Sequence, residues 1–109
     1  MEIEQEYIEQ VNEMVSYQED AIVSKIITDK QTGRITMFAF SKNQGISEQS
    51  LPFDSVLFIT DGKVELVMND ETTILEKDNV VLIPRNTSHE IFGIENFKML
   101  SIIIGDKDD

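Results

Sequence analysis

Residues 79–89 read Asn-Val-Val-Leu-Ile-Pro-Arg-Asn-Thr-Ser-His. Val80, Val81, Leu82 and Ile83 form an apolar run of strand length, and Pro84 stops it, because proline has no N–H to offer a sheet ladder. Asn86 centres a turn, where asparagine tolerates left-handed backbone. His89 follows, the only histidine in the molecule. The stretch reads as a strand that stops, turns and delivers a single imidazole.

The same alternation of short β-rich runs and turn signals extends in both directions. Downstream, 90–94 and 97–104 read as strands. Upstream, 72–75, 63–68, 55–60, 34–41 and 22–28 do so, with turn chemistry at 29–33, Gly45 in a connection and Pro52 at an edge or bend. Many short strands and one helical pattern predict an all-β fold, an antiparallel sandwich or barrel. One hairpin is read in register. Asp61-Gly62 suits a two-residue type I′ turn, which pairs Thr60 with Lys63, Ile59 with Val64, Leu57 with Leu66 and Ser55 with Met68. Ser55, Leu57, Ile59, Val64, Leu66 and Met68 then share the core side. Val56, Phe58 and Val67 fall on the other face, and 80–83 and 100–104 are apolar at both parities, as in strands covered on both sides. A chain this small has little of its own for that cover, so a homodimer packed sheet on sheet is expected.

Before the first strand, Ile3, Tyr7, Val11 and Met14 recur at spacings of four and three, one side of an acidic amphipathic helix. The helix is expected to lie against its own domain and to end before Val15, with 16–20 a short strand running into a turn. Residues 1–20 are thus read as an N-terminal helix or arm, 21–105 as one barrel and 106–109 as an acidic tail.

Lys and Arg number 9 against 21 Asp and Glu, a formal charge of −12. Such a surface repels phosphate backbones and anionic headgroups, which argues against nucleic acid and membrane partners. The absence of cysteine removes disulfides, thiolate metal sites and cysteine nucleophiles. The opening Met-Glu-Ile-Glu-Gln-Glu is the opposite of a basic secretory n-region, and no apolar run nears the roughly 20 residues of a membrane span. A cytoplasmic protein is expected.

Asp78, five residues, Pro84-Arg85-Asn86, two residues and His89 follow one spacing; Asn43, Gln49, Leu51, Ser55 and Gly62 follow another. Together they resemble the two motifs of the cupin superfamily, Gly-X5-Pro-X-Gly-X2-His and Gly-X5-His-X-His-X3,4-Glu-X6-Gly, over residues 22–104. The fold this implies is a jelly-roll β-barrel. Three motif glycines are replaced by Asn43, Asp78 and Asn86, the residue types that best tolerate left-handed backbone. The wording Ser47-Glu48-Gln49, Leu51-Pro52-Phe53-Asp54 and Phe97-Lys98-Met99-Leu100 is similar to small bacterial single-domain cupins, in which the first motif often keeps one histidine at the place of Gln49.

Cupin enzymes usually hold a divalent metal with three His and a Glu. The four positions here are Gln49, Leu51, Ser55 and His89, and only His89 is a strong ligand, with Gln49 a weak one. No resident metal or other cofactor is therefore expected. Alternation turns Glu48 away if Gln49 faces inward, and Glu90 away if His89 does. No glycine-rich phosphate loop, Gly-X-Ser-X-Gly elbow or second histidine is present. The expected function is a small-molecule-binding module, a sensor or carrier, with Gln49, Leu51, Ser55, Met68 and His89 as ligand-binding residues and Leu57 and Leu66 as further walls. The alternative is an isomerase, lyase or dioxygenase-like enzyme using His89, with or without a weakly held metal. A purely structural role through the acidic N-terminal segment is the third reading.

Overall fold

The computed structural model describes residues 8–105. Its strands are β1 (Ile22–Lys30), β2 (Gly33–Phe40), β3 (Gly45–Gln49), β4 (Asp54–Asp61), β5 (Lys63–Met68), β6 (Glu71–Glu76), β7 (Val80–Ile83), β8 (His89–Gly93) and β9 (Phe97–Ile104). They form two antiparallel sheets, a five-stranded one in the order β1-β2-β9-β4-β7 and a four-stranded one in the order β3-β8-β5-β6. The result is an all-β jelly roll. No helix among the described residues is long and apolar enough to cross a membrane.

The inner faces meet in one core. Leu57 and Ile59 of β4 and Val64 and Leu66 of β5 are buried at the expected parity, and Phe40 stacks on Phe97 with ring centroids 4.4 Å apart and an interplanar angle of 5°. The expected partners of β4 and β5 are wrong, however. β4 pairs with β7 and β9, and β5 pairs with β6 and β8, so the two strands belong to opposite sheets. Of Asp61 and Gly62 only Gly62 has positive φ, 81°, whereas a type I′ turn needs it at both central residues. The chain therefore swings across rather than folding back. That two-residue turn occurs instead at Asn69-Asp70, with φ 56° and 63°, closing β5 on β6 at the Met68–Glu71 pair.

The outer face of the five-stranded sheet is partly covered by the chain's own N-terminal arm. Met37 and Ala39 point outward from β2 yet are fully buried, in a cluster with Val15 that Met14, Tyr17 and Leu100 flank. Among the described residues of the arm the expected helix is absent, and Val11–Glu13 make one 3-10 turn. Ile3 and Tyr7, like the acidic tail 106–109, lie outside the described residues. Residues 16–18 form no strand, but the expected turn follows at 19–20, with Ala21 N–H donating to Gln18 O and Asp20 at φ 60°. At the far edge of the sheet, Val80 and Leu82 are 62% and 57% exposed.

Polar bonds fasten the arm. Asn12 Nδ2 donates to Thr60 O at 3.0 Å, Lys98 Nζ donates to Asn12 O, and Tyr17 Oη donates to Asp61 Oδ2 at 2.6 Å. Lys98 also lies over the Tyr17 ring, 5.0 Å from its centroid. Burial first, then the hydrogen bond to Asp61 and the charges of Asp61 and Glu95, raise the Tyr17 pKa above the usual phenol value. A raised folded-state pKa makes a contribution that is complete below the unfolded value near pH 10 and is lost as pH rises past it. Tyr17→Phe is therefore expected to show a shallower alkaline loss of stability than wild type. Urea midpoints followed upward from pH 9 check this; parallel curves would refute it.

Candidate functional site

The stretch 79–89 builds the mouth of the site. β7 ends in the five-stranded sheet, and Pro84-Arg85-Asn86 carries the chain across to the four-stranded one. The crossing is pinned where Asn86 N–H donates to Leu51 O at 2.7 Å and Arg85 N–H to Asp54 Oδ1 at 2.9 Å. The chain then enters β8 at His89, which stands between Gln49 of β3 and Met68 of β5. His89 is 7% exposed, and its Nδ1 lies 2.9 Å from Thr87 O. A carbonyl only accepts, so Nδ1 is the donor in this contact.

Between the sheets at this end lies a cavity of about 220 Å³ that brings together Gln49, Leu51, Ser55 and His89. Gln49 reaches it through a bulge: Ile46 pairs with Ile91 and Gln49 with His89, so Ser47 and Glu48 of β3 stand opposite Glu90 alone of β8. The extra residue lets both Ile46 and Gln49 face inward. Glu48 and Glu90 are exposed, and Glu48 accepts a hydrogen bond from Ser88 Oγ at 2.7 Å. Met68, expected in the cavity, instead lines a shallow surface pocket with Glu48, Ser88 and Glu90, because it closes the turn at the end of β5. Leu66 packs deeper, in the core cluster.

Phe38, Ile46, Leu57, Ile91, Met99 and Ile103 supply apolar walls, and Ser101 adds a polar group that sequence reasoning missed. Ser101 sits inside the apolar run 99–104, and only the pairing of β9 with β4 places it opposite Leu57. Ser55 and Ser101 are 4% and 9% exposed. Neither hydroxyl has a side-chain hydrogen bond among the described residues, and neither has the Gln49 amide. Two serine hydroxyls, a half-buried amide and the His89 imidazole thus line one small apolar chamber.

No family model matches the sequence, and no curated protein is similar to it. Solved structures are. A conserved protein of unknown function from Streptococcus pyogenes superposes with a TM-score of 0.88 at 25% identity, over 94% of this chain and 90% of that one. A cupin superfamily protein from Desulfitobacterium hafniense gives 0.88 at 24% identity, over 95% of each chain. A cupin 2 conserved barrel domain protein from Leptotrichia buccalis gives 0.80 at 30% identity over 85% of this chain, which spans 45% of that one. This chain has the cupin fold. Its motif-glycine positions behave accordingly, with Asn43, Asp78 and Asn86 at φ 74°, 76° and 60°.

The positions at which cupin enzymes hold a metal do not fit one here. Leu51 has no donor atom, Gln49 and Ser55 offer weak neutral oxygens, and His89 alone is a strong ligand. Among the described residues no group of three or more His, Cys, Asp or Glu side chains converges elsewhere.

Proposed function

We propose that this cupin is a binding module that takes one small, largely apolar molecule without a resident metal, as a sensor or carrier. The carrying observation is that Ser55, Ser101, Gln49 and His89 line one small apolar chamber. The volume of about 220 Å³ corresponds to roughly seven water-sized units, which suits a ligand of a six-carbon chain bearing one polar group. Hexanamide, with both donor and acceptor, is the natural probe.

Hexanamide is expected to raise the melting temperature of the wild type in proportion to log concentration once saturating, by the linkage of binding to folding. In His89→Ala the shift should vanish while the unliganded protein stays folded. A large loss of unliganded stability in His89→Ala would assign the imidazole a structural role instead. Stoichiometric Fe, Mn, Zn or Ni in untagged protein would overturn the metal-free part of the reading.

The second reading is an enzyme in which His89 acts as acid or base. One observation favours it: the Thr87 carbonyl holds the imidazole through Nδ1, and His89 lines the cavity.

A further inference from the structure

The inner face of the five-stranded sheet changes chemistry row by row from floor to mouth. At the floor Phe40 faces Phe97, and above them Phe38 faces Met99. The next row joins Thr36 to Ser101 and Leu57, bringing in hydroxyls. The outermost row joins Arg34 to Ile103 and Ser55. An apolar floor thus rises through hydroxyls to a guanidinium.

Ile103 marks the junction. It lines the cavity and also an adjoining groove of about 220 Å³ that holds Lys30, Arg34, Asp29 and Phe53. The chain has 9 Lys and Arg in all against 21 acids, yet two of the nine, Lys30 and Arg34, line this groove with Asp29 as its one acid. Arg34 and Ser55 lie two strand spacings apart in the same row, about 10 Å between backbones, a gap that an extended arginine and one bound carboxylate span. Arg34 contacts Asp29 at 3.3 Å, but both side chains are 51% exposed, and an ion pair so exposed is weak and exchangeable. A planar guanidinium fork suits a carboxylate in particular.

We infer that the ligand class is a compact aliphatic monocarboxylate, its tail among Phe38 and Met99 and its carboxylate at the mouth, between the Ser55 hydroxyl and Arg34. This rests on the binding reading above and adds the sign and place of the charge. Isothermal titration of hexanoate and hexanamide, isosteric and differing in charge, tests it at neutral pH and low ionic strength. Hexanoate is expected to bind about tenfold more tightly, the scale of a charge-assisted hydrogen bond. In Arg34→Gln the ratio of the two affinities should fall towards one, in Lys30→Gln it should fall less, and in Asp29→Asn, where the competing carboxylate is gone, it should rise. Equal affinities in the wild type, or a ratio untouched by Arg34→Gln, would overturn the carboxylate assignment while leaving the cavity reading intact. If neither compound binds, both fail.

Discussion

Gly62→Ala is expected to cost roughly 3 kcal/mol or more, from a strained backbone angle and an overpacked contact together. Gly62 has φ 81°, and a Cβ there would stand 1.9 Å from Asn96 O and 2.7 Å from Phe97 Cα. Both are backbone atoms, which cannot swing aside as a side chain would. The residue is the whole link by which the chain passes from β4 in one sheet to β5 in the other, so relief at Gly62 must disturb Phe97 and the floor of the cavity. Urea unfolding measures the loss. Asn43→Gly, at φ 74°, is the control and should change stability by less than about 1 kcal/mol. A Gly62→Ala protein as stable as wild type would sink the account of this crossing.

Phe97→Ala is expected to cost about 3–5 kcal/mol, as deletion of a fully buried phenyl does. Phe97 and Phe40 are each 0% exposed and stack face to face, and the transfer and cavity terms both apply because Met99 and Val64 are held by their own strands. The variant should also bind benzene in the space left, as dry apolar cavities do, recovering part of the stability in proportion to its concentration. A loss below about 1 kcal/mol, or no effect of benzene, would show that the floor collapses rather than holds open.

Much of this fold was legible, and particular residues show why. Asn43, Asp78 and Asn86 could be read as turns because left-handed backbone selects few residue types, and the structure gives each a positive φ. The spacing around them brought Gln49, Leu51, Ser55 and His89 to one place. The hairpin across Asp61-Gly62 failed because alternation reports which face is buried and is silent on which strand lies alongside; in facing sheets β4 and β5 bury the same residues they would bury as neighbours. β3 was missed because Gly45-Ile46-Ser47-Glu48-Gln49 has little β-propensity and its bulge breaks the two-residue period. The arm was expected against its own domain but its form was misread, because it covers the sheet through Val15 and Tyr17 with hardly any regular structure of its own. Ser101 and Arg34 gained their place only from register, which no local pattern encodes.

The last strand of the chain, β9, lies in the middle of its sheet, with β2 on one side and β4 on the other. During synthesis, then, β1 with β2 and β4 with β7 are made as two halves that cannot be joined until residues 97–104 emerge from the ribosome. A stop codon before residue 97 would remove the strand through which β2 and β4 are joined in one sheet.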